Sequence, residues 1–319
     1  MITYLALLAG LIILVFAGDL LVRGAVGVAE RLGIPALIIG LTIVAFGTSA
    51  PELVISMKAA ASGAPGLAIG NVVGSNIANI LLVLGAPSLI FATACSGPGT
   101  RRNALFMVTI TLGFVALASD GMLSRLDAVV MLSLLGVFLY DNYRSARRHR
   151  KQAQDALQDE FGDIGTKPAW MLSGFLLVGL IGLPIGASFT IFGATEIARN
   201  WGVSETSIGL TVVAIGTSLP ELVAAVMAAF HRQSAVAIGN VIGSNIFNLL
   251  AIMGTTAAVF PLPVPGDVFV PDMWIMVLTS MCLLPFIFLS KSITRPVGVI
   301  MVLLYVAYVI SALHPHGFL

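Results

Sequence analysis

The sequence predicts an all-helical integral membrane protein, with ten transmembrane helices arranged as two inverted five-helix repeats and discontinuous helices in each repeat. Three observations predict it. Of 319 residues, 58% are hydrophobic and only 10% charged, against roughly 25% charged in soluble domains. Apolar runs long enough for helices crossing a hydrocarbon core of about 30 Å recur along the chain, whereas the alternating segments of roughly ten residues that build a barrel do not. Two long phrases occur twice at one fixed separation.

The first run, Ile2 to Val22, has no basic residue before it and no small-residue cleavage site behind it, so it reads as a helix rather than a secretory leader. Apolar runs then place spans at 2–30, 34–60, 65–92, 102–119 and 124–141, and again at 169–197, 203–229, 234–260, 268–290 and 296–313. The chain divides accordingly into a first repeat (1–141), a polar segment (142–168) and a second repeat (169–319). The polar segment, NYRSARRHRKQAQDALQDEFGDIGTK from Asn142, is too charged for the bilayer and reads as a solvated linker with some helix.

Basic residues set the orientation. With the N-terminus outside, thirteen Lys and Arg fall on the cytoplasmic side and only Lys58, Arg125 and Arg199 fall outside, a strong positive-inside bias. The expectation is a multi-pass plasma (inner) membrane protein with both termini outside and the central segment cytoplasmic. The net charge of +1 carries no signal for nucleic acid, and none is expected as a partner. Cys95 and Cys282 have neither metal-type nor framework spacing and read as packing residues.

A shift of 169 residues aligns GLTIVAFGTSAPELV (Gly40 to Val54) with GLTVVAIGTSLPELV (Gly209 to Val223), identical at 12 of 15 positions. The same shift aligns AIGNVVGSNIANIL (Ala68 to Leu81) with AIGNVIGSNIFNLL (Ala237 to Leu250), identical at 11 of 14. Five helices separate equivalent positions. An odd number makes the second copy enter the membrane from the opposite side, the pattern of secondary transporters with ion sites near the midplane.

The repeated phrases carry oxygen chemistry. Pro51 has no N–H, so the Gly47 carbonyl loses its helical partner, and such a group in lipid needs a cation, water or side chain to take over the bond. Glu52 follows Thr48 by four residues and Ser49 by three, which puts carboxylate, hydroxyls and loosened carbonyls on one face. Thr217, Ser218, Pro220 and Glu221 repeat this. In the second phrase Ser75 and Asn79, like Ser244 and Asn248, are four apart on one face. Glycines at 70, 74, 239 and 243 leave room for close helix approach.

Together the copies offer two carboxylates, six hydroxyls and two side-chain amides. That set suits a hard cation such as Ca²⁺, which takes about 6 to 8 oxygens, and the lack of His and Cys argues against zinc, copper or iron. One Ca²⁺ neutralises two carboxylates, as do two Na⁺ or two protons. A carboxylate at helix centre costs about 2.5 to 3.5 kcal/mol on the insertion scale. A single proline is usually a kink and a single Ser or Thr usually bonds its own helix; the duplicated constellation favours an ion site instead.

The other ionisable residues read as a structural pair, as solvated helix ends and as surface histidines. Asp19 and Arg23 are spaced for a pair on one helix, Glu30, Arg31, Glu196 and Arg199 lie at helix ends, and His149, His231, His314 and His316 fall in loops or the tail. Asn71 and Asn240 are placed to satisfy loosened backbone.

On these two duplicated phrases the chain resembles the cation/calcium exchanger superfamily, whose repeats carry G-T-S-x-P-E and G-S-N-x-x-N motifs, and among its members the compact prokaryotic sodium/calcium exchanger-like proteins. The resemblance covers essentially the whole chain. It implies that Glu52 and Glu221 hold Ca²⁺ with help from the Thr48 and Thr217 backbone carbonyls. Ser49, Ser75, Ser218 and Ser244, with the two threonines, match groups at flanking Na⁺ positions, joined by the Ala45 and Ala214 carbonyls, and Asn79 and Asn248 match the central pair. It implies further that the first and sixth helices slide against the rest. Some relatives carry Asp where Asn248 stands, which weakens the case for K⁺ cotransport. The G-N-x-x-E pattern of proton/calcium exchangers is absent after Gly70-Asn71 and Gly239-Asn240, which favours sodium as the driving ion.

The sequence thus reads as an antiporter that exchanges Ca²⁺ for Na⁺ by alternating access, its partners being small inorganic cations and the lipid bilayer, with no cofactor. Proton-driven exchange of Ca²⁺ or another divalent cation is the alternative. An enzyme is not expected, because a serine nucleophile needs a base and no histidine lies at membrane depth. A passive channel fits the oxygens, and conductance in planar bilayers separates it from an antiporter.

Overall fold

A computed structural model describes residues 2–157, 168–202, 214–264 and 266–313. Among the described residues, eight helices are long and apolar enough to cross a membrane, or nine if the bent pair at Ala36–Thr48 and Ala50–Ala61 counts as one span. The first half comprises α1 (Ile2–Leu32), α2 (Ala36–Thr48), α3 (Ala50–Ala61), α4 (Pro65–Ile90), α5 (Thr100–Ala118) and α6 (Arg125–Leu157). The second comprises α7 (Ala169–Asn200), α8 (Ala214–Thr217), α9 (Leu219–Phe230), α10 (Ser234–Val259), α11 (Gly266–Phe288) and α12 (Arg295–Leu313). The beginning of the span expected at 203–229 lies outside the described residues.

The polar segment begins as a helix. α6 runs on through the basic run to Leu157, since Arg, Ala, Lys, Gln and Leu are all good helix formers and nothing there breaks the chain. Two short antiparallel pairings depart from pure helix. Thr93 and Ala94 face Ile293 and Ser292, and Met122 and Leu123 face Pro263 and Leu262. Each ties one half of the chain to the other, and exchanging the halves turns one pairing into the other.

The breaks that position the site follow from proline. Pro51 and Pro220 each sit in the first turn of a helix, where a missing N–H costs nothing, and neither can donate the bond to the Gly47 or Gly216 carbonyl that would carry the preceding helix straight on. Ser49 and Ser218 accordingly take almost the same non-helical backbone (φ −83°, ψ 4° and φ −86°, ψ 6°), and α2 meets α3 at 42°. A second irregularity was not legible as such in the sequence. The chain widens to π-helix at Gly40–Val44, Asn79–Val83 and Asn248–Ile252, a local feature frequent at functional sites.

Glycines set the closest helix crossings. A Cβ on Gly239 would lie 2.6 Å from the Leu37 carbonyl oxygen, and one on Gly243 equally near that of Leu41, so α10 lies directly on α2. Around α4 and α10 gathers the main apolar core, including Ile69, Val72, Ile77, Ile242, Ile246 and Leu249. A smaller cluster joins α1 to α7 through Leu14, Leu21, Leu176 and Leu183. Exposed apolar side chains such as Leu8, Phe16 and Leu177 cover the outer faces of those two helices, and exposed Trp170 and Trp201 bracket α7 at its ends, as in the aromatic belts of membrane interfaces.

Candidate functional site

The two breaks meet inside the main core. Thr48, Ser49 and Glu52 stand at the α2–α3 junction, Thr217, Ser218 and Glu221 at the α8–α9 junction, Ser75 and Asn79 on α4, and Ser244 and Asn248 on α10. All ten are buried, with Glu52 and Glu221 each 1% exposed. Restarting a helix at the break leaves free backbone N–H groups in its first turn, and that is where each glutamate lies.

Both junctions read Ser-x-x-Glu, the pattern of a capping box. Neither serine caps its helix. Ser49 instead donates its hydroxyl across the protein to Glu221 Oε1 at 2.9 Å, and Ser244 reaches the same oxygen at 3.5 Å. Thr48 donates to the Ala45 carbonyl at 3.3 Å and to Asn240 Oδ1 at 3.2 Å. Ser49, three residues before Glu52, thus bonds the other copy's carboxylate and brings the two junctions together. Asn71, on α4, gives its amide to the Glu52 backbone carbonyl at 3.3 Å and to buried Ser56 at 3.0 Å, the backbone-satisfying role its spacing suggests.

Two residues that sequence reasoning passed over organise the centre. Asn79 donates to Asn245 Oδ1 at 3.0 Å, and Asn248 donates to Asn76 Oδ1 at 3.0 Å. Asn76 and Asn245 in turn donate to each other's backbone carbonyls, at 3.5 and 3.4 Å. This four-amide knot maps onto itself when the halves are exchanged. Its consequence is orientation: with their amide nitrogens turned toward the knot, Asn79 and Asn248 keep their Oδ1 atoms without a protein partner. The signal was present, since Asn76 and Asn245 are the Asn of both Gly-Ser-Asn phrases, but the bonds join positions 166 to 172 apart that no local spacing relates.

Buried polar atoms are normally satisfied. Here five buried side-chain oxygens from the anticipated set have no hydrogen-bond partner: Glu52 Oε2, Glu221 Oε2, Ser218 Oγ, Asn79 Oδ1 and Asn248 Oδ1. Carboxylate, amide and hydroxyl oxygens are hard donors, and the set fits a hard cation. Among the described residues no group of three or more His, Cys, Asp and Glu converges, which leaves the two glutamates as the charge of the site. Thr217 is buried beside Ser218, and Ser75 is buried one turn before Asn79.

The chain matches the family model for sodium/calcium exchanger protein over residues 2–143 and 171–313. It belongs to the sodium/calcium exchanger family. The chain is 36% identical to a putative antiporter, CaxA, of Alkalimonas amylolytica over 94% of its length and 95% of that protein's. It is 33% identical to the sodium/calcium exchanger MaX1 of Methanosarcina acetivorans, over 97% and 98% of the two chains. The solved structure of the sodium-calcium exchanger NCX_Mj superposes with a TM-score of 0.83 at 30% identity, covering 98% of each chain. The chain is therefore a multi-span membrane protein of an exchanger family.

Proposed function

We propose that the chain is a secondary antiporter exchanging Ca²⁺ for Na⁺ by alternating access, both ions competing for one site between Glu52 and Glu221. The observation that carries this reading is the set of five unpartnered buried oxygens, four of them at mirrored positions on Glu52, Glu221, Asn79 and Asn248 and the fifth on Ser218. Thr48, Ser49, Ser75, Asn79, Thr217, Ser218, Ser244 and Asn248 complete the site. One divalent cation or two monovalent ones neutralise the glutamates, and that equivalence makes exchange possible without leaving a bare charge in the core.

The architecture proposed is ten helices in two inverted repeats, 1–141 and 169–319, joined by a cytoplasmic segment, 142–168, with both termini outside. It is supported by the exchange symmetry of the strand pairings and of the amide knot, by the matched breaks at Ser49 and Ser218, and by the distribution of Lys and Arg. Sodium as the driving ion is supported by the names of MaX1 and NCX_Mj and by the missing acid after Gly70-Asn71 and Gly239-Asn240.

Flux into sealed vesicles decides between driving ions. With Na⁺ and pH gradients imposed separately, Ca²⁺ uptake follows the Na⁺ gradient; uptake that follows only the pH gradient assigns the site to proton-driven exchange, and uptake with neither gradient overturns the antiporter.

A further inference from the structure

α1 and α7 pair as a two-helix layer, and the smaller apolar cluster joins that layer to Ile39 and Val44 of α2 and to Ala224 of α9, in the body that carries the site. In the layer, α1 and α7 meet at backbone distance: a Cβ on Gly24 would run into the Leu176 nitrogen, and one on Gly179 would lie 2.7 Å from that of Leu21. Small residues at the crossing are what allow this approach. The layer meets the body along α2 and α9, with Gly47 of α2 against Leu180 and Gly18 of α1 against Val223 and Met227 of α9. At one end of that seam the contact turns polar. His231 Nε2 lies 2.7 Å from Asp19 Oδ1, and the same carboxylate accepts from Arg23 Nε at 3.1 and 3.0 Å.

Neither partner is placed loosely. His231 follows the last residue of α9, held by a backbone bond to Met227 at 3.0 Å, in a turn closed by Gln233 N–H on the Ala228 carbonyl at 2.7 Å. The next residue, Arg232, takes a left-handed backbone (φ 56°) and lays its guanidinium over Phe91 at 5.3 Å. The His231 and Asp19 side chains are 31% and 22% exposed, so water reaches the pair without dissolving it.

The geometry points to a protonation-sensitive latch in which His231, through Asp19, fastens the α1–α7 layer to the end of α9. Histidine is the side chain whose charge changes at roughly pH 5 to 8. As imidazolium it adds the attraction of opposite charges to its hydrogen bond with Asp19; as neutral imidazole it keeps the hydrogen bond to the carboxylate and loses that attraction. Acid therefore tightens the latch and base loosens it. Arg23 shares the carboxylate and works against the imidazolium, but is half exposed. Glu30 and Arg31 lie farther along α1 toward its end, and Arg232 is turned onto Phe91. On the other described elements packed against α9, the charged residues are Glu196 and Arg199, at the far end of α7.

The functional consequence rests on the exchange reading: if the layer moves against the body during transport, a tighter latch slows turnover as pH falls. Glutamate protonation in the ion site would also lower transport in acid, so the test compares variants. His231→Gln keeps a donor without the charge, and Asp19→Asn removes the partner's charge. Between about pH 8 and pH 6, flux through the parent is expected to fall about fivefold more than through either variant, the low end of coupling between sites and suited to a half-wet pair. Superimposable pH profiles would overturn the latch. A second readout does not depend on transport: spin labels at Leu32→Cys and Leu289→Cys, in a Cys282→Ser background, report the position of α1 against the body. Acid is expected to narrow the distance distribution in the parent and not in His231→Gln; the same response in both overturns the latch. Absence of Na⁺- or H⁺-driven flux in the parent overturns the exchange reading, and the distances still decide the latch.

Discussion

The two copies of the repeated phrase are nearly the same in sequence and differ in what holds their carboxylates. Glu221 Oε1 receives two hydroxyls, from Ser49 and Ser244, whereas Asn71 reaches Glu52 only at its backbone carbonyl. Ser49 is engaged across the site while Ser218 Oγ is left without a partner. The shared features, the break at Pro51 and Pro220 and the buried glutamate that follows it, belong to both copies. The unequal hydrogen bonds belong to one arrangement of the two halves, and under the proposed alternation the copies would trade them.

The largest effect separates what the copies share. Glu52→Gln and Glu221→Gln each remove half the charge of the site, and loss of one partner from a buried charged set costs about 3 to 5 kcal/mol. Ca²⁺ affinity, read by isothermal titration, is expected to drop by on the order of 100-fold or more in both. Retained affinity in one variant would show that a single copy holds the ion.

A smaller loss is expected at the amide knot. Asn76→Ala and Asn245→Ala release the Asn248 and Asn79 amides from their oriented positions, and groups that orient a ligand are worth about 10- to 100-fold in affinity. Because the knot maps onto itself, the two variants should fall by similar factors; Ca²⁺ titration showing a loss in one only would break the proposed symmetry at the centre.

The serines sharpen the difference at the smallest scale. Ser49→Ala removes a hydrogen bond to a buried carboxylate and should lower the stability of ion-free protein by about 1 kcal/mol. Ser218→Ala removes a hydroxyl that bonds nothing, so it should leave that stability nearly unchanged while weakening cation binding. Thermal unfolding without cations, followed by Ca²⁺ titration, compares them; equal melting shifts would mean the two serines are equivalent in the ion-free protein.

Much of this was legible locally. Hydropathy located the spans that Pro65–Ile90 and Thr100–Ala118 fill, and Pro51 and Pro220 announced the breaks at Ser49 and Ser218. Hydropathy could not mark the end of α6, because a helix leaving the membrane needs no change of backbone, only of side chains. The π turns at Asn79 and Asn248 were hidden for a different reason: no residue type demands them. His231 read as a surface residue since its partner, Asp19, is 212 positions away. Wherever a contact joins the two halves, periodicity within one half is silent about it.

The central claim is that one cation lies between the two copies, and anomalous diffraction from crystals soaked in Sr²⁺, a heavier stand-in for Ca²⁺, tests it most directly. The account predicts a single strong peak within coordination distance of both Glu52 and Glu221, with Asn79 and Asn248 turned toward it. A peak bound by one glutamate alone, or lying elsewhere in the protein, would contradict it.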